Sequence, residues 1–459
     1  MSAKPGAAQA KFLTGSTMRH VVVMTLTGSL GLGFLFMVDF LALWWISRLE
    51  REVLITAIGF AATIQFFAMS VSVGMMIGAV ALVSRALGMG EPEEARRIAT
   101  SAMIYGATFQ TALAVAVFVL RRPILIWTGA EGEALEVAVE FLGISLPSLP
   151  LVAIGMCASA VLRAAGEAWR AMLITVSAGA VALVVDPILI VWLGWGVNGA
   201  AAAIVLSRLA MAVTGFYWVS RSRSLLARPS LIDLRTFIAP FAAIAMPAVA
   251  TQVSTPFGNW VLVRAMAEHG DSAVAGLGVV MRLSVVCFGG IFALSGAIGG
   301  IIGQNNGARQ YDRVASAYLD ALKFCVVYTV VIWGALIFLA DPISRSFGLA
   351  EDGARVVRIF AWYAVGAFVF TGALFVSNAA FNNLGRPLWA TAANWTRDAL
   401  LMGPLAFGLG ALYAGSGVIM GQALANTLAG CLAAWIGWRF VRRLGAGRAT
   451  VLDGKATST

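Results

Sequence analysis

Two aspartates stand inside long apolar runs, Asp39 in LGFLFMVDFLALWW and Asp186 in AVALVVDPILIVWL. A carboxylate in a bilayer interior costs roughly 2.5–3.5 kcal/mol on insertion scales, so it persists where it is paired or used. Each lies about seven residues, or ~10 Å, from the expected outer end of its run. The two acids therefore share a depth, which permits one shared site. Such a group can load a proton in one conformation and release it in another. Binding one state better than the other is what couples an ion to a conformational change. Pro187 follows Asp186 and lacks an N–H, so the Leu183 carbonyl loses its helical partner. That carbonyl is an acceptor for a proton carrier, a cation or a substrate amine. The plainer reading is that Pro187 only kinks the helix.

Other polar groups in apolar surroundings are fewer and more ordinary. Arg208, Arg282 and Arg397 are the basic ones. Arg282 has no acid in its own run and could bind an anionic group, or snorkel. Arg397 precedes Asp398, but neighbours on a helix do not face each other, so no direct pair is expected. Gln252 and Asn259 are seven residues apart on one helical face, and Gln422 and Asn426 are four apart. Gln65, Asn378 and Asn394 stand alone. Hydrogen bonding between helices is the common role for such residues, and lining a cavity is the rarer one. The four cysteines are scattered through apolar runs without metal or disulfide spacing, and His20 and His269 sit at helix edges. No phosphate-binding loop, hydrolase elbow or metal cluster is present in the pattern. An enzyme, a resident cofactor and a nucleotide-driven machine are therefore not expected.

The elements that must carry these residues follow from composition. The chain has 459 residues, of which 60% are hydrophobic and 12% charged. A soluble domain carries about 25% charged residues, too many for this chain to match. Apolar runs of spanning length recur along it. Twelve spans are expected, at about 18–46, 54–83, 98–120, 136–159, 170–193, 197–219, 237–264, 273–303, 314–339, 356–380, 388–412 and 417–440. Residues 1–17 are polar and small, and the first apolar run is too long for a cleavable signal.

The net charge of +10 is distributed by topology. With the N-terminus in the cytoplasm, 21 basic residues fall on the inner side and eight on the outer side. That asymmetry follows the positive-inside rule, places both termini inside, and leaves nothing for a nucleic-acid partner to explain.

One constant offset of 219 residues joins turn residues of the two halves. Gly59 maps to Gly278, Gly88 to Gly307, Pro123 to Pro342, Gly129 to Gly348, Gly166 to Gly385 and Gly196 to Gly415. The loop SRALGMGEPEEARR matches GQNNGARQYDRV, and LRAAGEAWRA matches NNLGRPLWAT. Each half holds six spans, an even number, so both enter from the same side and the repeat is parallel. The expected plan is a cytoplasmic tail at 1–17, an N-lobe at 18–219 and a basic cytoplasmic linker at 220–236. A C-lobe at 237–440 and a second cytoplasmic tail at 441–459 complete it.

These features together resemble the multidrug and toxic compound extrusion family. The resemblance rests on MVDF with Asp39, the glycine-bearing loop after span two, LRAAGEAWRA after span four and DPILI with Asp186-Pro187. GVNGAAAA opening span six and the spacing from Arg397 to Pro404 also fit. The closest branch keeps its coupling carboxylates in the N-terminal half, since ATQVSTPFGNW and FVFTGALFVSN hold no acid. The chain departs from that branch at Ala182, Phe141 and Ile204, where Asn, Tyr and Thr are usual.

The resemblance implies an all-α polytopic membrane protein of two six-helix bundles in a bacterial inner membrane. It implies a secondary antiporter that rocks around a central cavity and exports small amphipathic or cationic compounds. Protons are the expected coupling ion, with Na⁺ as the alternative, and Asp39 and Asp186 are the coupling groups. Pro187, Phe141, Gln65, Gln252, Asn259 and Arg282 are candidate cavity residues. The expected partners are a small-molecule substrate and membrane lipids, with the protein acting as a monomer. A flippase for lipid-linked oligosaccharides, from the same superfamily, is the competing reading.

Overall fold

The computed structural model describes residues 10–47, 52–221 and 225–456, and among them every regular element is a helix. The first half runs α1 (Thr17–Ser47), α2 (Glu52–Gly88), α3 (Pro92–Trp127), α4 (Gly132–Ser145), α5 (Leu149–Ala164), α6 (Ala168–Pro187) and α7 (Gly196–Arg221). The second runs α8 (Leu231–Ala267), α9 (Asp271–Cys287), α10 (Gly289–Gly307), α11 (Tyr311–Ser346), α12 (Glu351–Trp362), α13 (Phe368–Asn383), α14 (Pro387–Trp395) and α15 (Met402–Ala456).

Among the described residues ten helices, some of them joined through short 3-10 or π segments, are long and apolar enough to cross a bilayer. The pair α9 and α10, bent by 46° around Phe288, makes an eleventh span. The stretch Pro387–Gly445 is 59 residues long, about 90 Å at 1.5 Å per residue, roughly three bilayer cores. Inside it Tyr413 and Ala414 leave helical geometry, with φ of 54° at Ala414. That break divides the stretch into two spans, and the count reaches the twelve that the sequence predicts.

The repeat is written into the turns. Gly129 and Gly348, 219 residues apart, both take left-handed backbone, as do Gly166 and Gly385. Gly90 is left-handed at φ 80°, and so is its counterpart Arg309 at φ 58°. Glycine reaches that region freely, whereas an arginine there is strained, so the fold demands the same turn from two different residues.

Contacts divide the chain into two compact units. Unit 1 holds residues 30–87 and 91–249, and unit 2 holds residues 10–29, 88–90 and 250–459. The helices α1 and α8 are therefore each divided, after Ser29 and after Val249, at positions related by the repeat offset to within one residue. In unit 1, one apolar cluster joins α2, α3, α4 and α7 around Ala61, Phe141, Leu142 and Ala201. A second joins α3, α5 and α6 around Ile98, Cys157, Val161 and Ile174. In unit 2, Phe288 and Phe368 stack with centroids 3.7 Å apart, and the buried Tyr318 hydroxyl meets Ser377 Oγ at 2.8 Å.

Candidate functional site

Asp186 lies in the last turn of α6 and is 5% exposed. The backbone after it follows from Pro187. With no proline N–H to continue the ladder, the Ile188 N–H bonds back to Val185 O, a tightened turn. Residues 188–192 then widen into a π-helical segment, closed by Leu193 N–H to Ile188 O at 2.9 Å. Single π turns inside helices are frequent at functional positions. The start of α7 packs on this break without side chains between: a Cβ on Gly199 would lie 2.6 Å from Leu189 O.

The seam between α1 and α6 sets the relation of the two acids. A Cβ on Gly31 would meet Met172 Cγ at 3.1 Å and Thr175 Cβ at 3.7 Å. A Cβ on Gly179 would meet Phe34 Cε1 at 2.8 Å and Val38 Cγ2 at 3.5 Å. The pairs advance in the same sense, so the helices run parallel with a register offset of 141 to 145 residues. On that register Asp186 stands opposite positions 41–45, two to six residues beyond Asp39. At 1.5 Å per residue that is ~3–9 Å along the axis. The side chain of Asp39 is outside the described set, and only its place on α1 enters.

Arg208 holds the polar core of unit 1. It lies midway along α7 and donates from Nη1 to Ser145 O at 3.0 Å and Ser148 Oγ at 2.9 Å, and from Nη2 to Gln65 Oε1. Gln65 in turn donates to Ser145 Oγ at 3.0 Å. The Ser145 carbonyl is available because α4 ends in a 3-10 turn at Leu146–Ser148, where the Leu149 N–H bonds Leu146 O instead. Gln65, Ser145 and Ser148 are all buried. Phe141, 3% exposed, sits one turn before Ser145 and packs in the same cluster as Ile204. Thus Gln65 is held on a cation to which the sequence assigned no role, and Phe141 lies in the apolar cluster of the same unit. The signal was present as a basic residue on the small-residue face of span six.

The remaining candidates lie in unit 2. Gln252 is half-buried on α8, and Asn259 on α8 and Arg282 on α9 are exposed. The pair that the sequence did not predict is here. Arg397 Nε donates to Asp398 Oδ1 at 2.7 Å and Nη2 to Oδ2 at 2.8 Å. Ser254 Oγ donates to the same Oδ2 at 2.8 Å. The expectation that adjacent residues do not pair fails because Thr396–Leu401 is π-helical. Its wider turn separates successive side chains by less than the ~100° of an α-helix, and the long Arg stem folds over its neighbour. The exclusion of water completes the bond, with Arg397 5% and Asp398 2% exposed. Among the described residues no group of three or more His, Cys, Asp or Glu is placed to hold a metal ion.

Comparisons with known proteins agree with this architecture. Residues 22–188 and 247–407 match the MatE family, one segment in each half. The FAD transporter of Shewanella oneidensis is 27% identical over 416 residues, 89% of this chain and 92% of that protein. The multidrug export protein MepA of Staphylococcus aureus is 23% identical over 429 residues, 90% of this chain and 92% of that protein. Among solved structures, the Vibrio cholerae MATE transporter VcmN aligns with a TM-score of 0.88 at 20% identity, covering 93% of this chain and 97% of that one. A MOP-superfamily transporter from Pyrococcus furiosus aligns at 0.87 and 21% identity, covering 97% and 100%. With a family match in each half and an all-helical fold of twelve spans in two bundles, this chain belongs to the MATE (MatE) family of multidrug and toxic compound extrusion transporters.

Proposed function

We propose that this transporter is a proton-coupled antiporter of a bacterial inner membrane. In this reading it exports small amphipathic compounds, with Asp39 and Asp186 as the coupling carboxylates and both termini in the cytoplasm. The observation that carries it is Asp186, a buried carboxylate at a proline-and-π break, on a helix packed parallel to the one that bears Asp39. A group that changes charge beside a backbone with an incomplete hydrogen-bond ladder has two local arrangements to choose between. A proton selects one, and that differential affinity is what drives an exchange cycle.

The multidrug export relatives support a substrate class of small organic compounds. The flavin dinucleotide named for the Shewanella relative belongs in the substrate panel for the same reason. The flippase reading loses ground to the MatE match, which spans both halves. The test is purified protein in liposomes under an imposed ΔpH or Na⁺ gradient. Uptake driven by ΔpH and lost in both Asp39→Asn and Asp186→Asn is expected. Stimulation by Na⁺ alone, or full ΔpH-driven transport in both variants, sinks the assignment.

A further inference from the structure

Where α15 returns along α14, unit 2 carries a group of cations without acids. The break at Ala414 turns the chain back, and the two runs pack antiparallel. Gly417 packs on Leu409 O, Gly421 on Leu405 O, and the Phe440 ring on Trp389 with centroids 5.4 Å apart. One turn past Phe440, that register sets Arg443 opposite Arg386, the residue just before α14. Arg439 lies over the Trp435 ring at 4.1 Å, Arg386 over Trp389 at 5.6 Å and Arg442 over Trp438 at 5.9 Å. All four arginines are exposed. Among the described residues no acid pairs with any of them. Like charges four apart on a helix, as in Arg439 and Arg443, repel, so the group is best completed by an anion.

The same face of α15 continues as bare apolar surface. At ~100° per residue, Leu424, Leu428, Leu432, Trp435, Arg439 and Arg443 fall within a sector of about 100°. All six are exposed, whereas Ala433, Gly437 and Val441 turn the other way and are buried. From Leu424 to Trp435 the stripe runs ~16 Å, about half of a ~30 Å hydrocarbon core and so the depth of one leaflet. The arginines stand at one end of it, beyond a tryptophan of the kind that marks a membrane interface. The first half has no equivalent. The repeat counterparts of Arg386, Arg439 and Arg443 are Glu167, Ser220 and Ser224, and Glu167 pairs with Arg170 at 3.2 Å.

We propose that this face of unit 2 binds an anionic phospholipid, with its phosphate on Arg386, Arg439 and Arg443 and an acyl chain along Leu432, Leu428 and Leu424. Guanidinium forks match phosphate oxygens, and basic clusters at the ends of spanning helices hold lipid headgroups. The apolar stripe of one-leaflet depth is what commits the site to a lipid rather than to free phosphate. Its place in the inner leaflet rests on the proposed orientation of the chain. The preference for an anionic headgroup rests on neither orientation nor proton coupling, so its failure would leave the transport reading untouched.

The experiment titrates the full-length protein in dodecyl maltoside with phosphatidylglycerol or with phosphatidylcholine of the same chains. Native mass spectrometry reads lipid-bound and lipid-free protein and gives the ratio of the two affinities. A basic residue near the headgroup is worth about fivefold, so the wild type should prefer phosphatidylglycerol by about 100-fold. Arg439→Gln and Arg443→Gln should each lower that preference about fivefold, and the triple variant with Arg386→Gln should bring it close to unity. Arg170→Gln, which removes the acid-paired arginine of the first half, should leave it unchanged. A wild type that binds both lipids alike overturns the proposal whether or not any variant folds. A loss in Arg170→Gln as large as that in Arg439→Gln overturns it too, because binding would then follow net charge and not this face. Glycerol phosphate, the same anion without chains, should not displace the lipid at equal concentration. Displacement would assign the arginines to a free anion and overturn the lipid.

Discussion

Removing Arg397 isolates one interaction whose cost is readable from geometry. The Asp398 carboxylate takes two charged donors from Arg397, at 2.7 and 2.8 Å, and one neutral donor from Ser254 at 2.8 Å. The side chains are 7% and 3% exposed, so water cannot substitute for a lost partner. In Arg397→Leu the carboxylate keeps only the Ser254 hydroxyl, and breaking a buried pair this way costs about 3–5 kcal/mol. Replacing both charges, as in Arg397→Leu with Asp398→Leu, is expected to lie within ~1 kcal/mol of wild type or above it, because the desolvation of both ions is removed together. Thermal unfolding in detergent reads the difference. If unit 2 unfolds cooperatively, the single variant should lose about 6–20 °C at 2–4 °C per kcal/mol, and the double variant should recover most of it. A single variant within about 2 °C of wild type would show that the pair carries little. A double variant as unstable as the single one would show that the loss comes from side-chain packing and not from the orphaned charge.

Three further outcomes follow from named contacts. Gly258→Ala places a Cβ 2.8 Å from Asp398 Oδ1 and 3.0 Å from Cγ, so it should displace the carboxylate from Arg397 and lower stability by about 1–3 kcal/mol in the same melt. The segment before α1 is held in unit 2 by Arg313, which donates to Phe12 O at 2.8 Å and Gly15 O at 3.0 Å, with Thr17 Oγ1 on Asp320 Oδ2 at 2.6 Å. Arg313→Ala should raise hydrogen exchange at residues 12–17 by about 10- to 100-fold and leave α6 unchanged. Pro187→Ala should let α6 continue past Asp186 by restoring the missing N–H, which is expected to stabilise unit 1 and slow transport, measured as a higher melting midpoint with a lower liposome flux.

The twelve spans were legible because apolar runs of spanning length and a constant offset of turn glycines are local signals. Gly129, Gly166, Gly348 and Gly385 take the backbone their spacing required. The break at Tyr413 and Ala414 was legible as well, since Gly415 is the offset partner of Gly196, where α7 begins. The Arg397 pair was not legible. Helical spacing rules assume α geometry, and nothing local announces that Thr396–Leu401 winds as a π-helix. The Arg208 network was hidden for a different reason. Its acceptors come from positions 60 to 143 residues away, and one of them is a carbonyl diverted by a 3-10 turn. Periodicity finds a polar residue on a face but does not find what that face meets.

The repeat offset gives the acids of the apolar runs a pattern that neither half shows alone. Asp39 corresponds to Gly258, and Gly179 corresponds to Asp398. Each of these glycines sits in a seam between the first and fifth spans of its half. Gly179 packs on Phe34 and Val38 of α1, and Gly258 packs on the carboxylate of Asp398. The offset pair thus carries one acid and one glycine in each half, and that acid has changed helices between the two copies, while α6 also bears Asp186, whose counterpart is Leu405. In unit 2 the glycine makes room for the Asp398 carboxylate, since a Cβ on Gly258 would overlap it. What differs is the compensation. Asp398 has Arg397 beside it, whereas the counterparts of Arg397 and Ser254 in unit 1 are Ala178 and Leu35. A buried acid held by two charged hydrogen bonds is costly to separate from its cation, so this pair pins the seam of unit 2. The duplicated positions in unit 1 supply neither the guanidinium nor the hydroxyl. Duplication thus left the offset positions with different partners, and one arginine is what ties down the acid in unit 2.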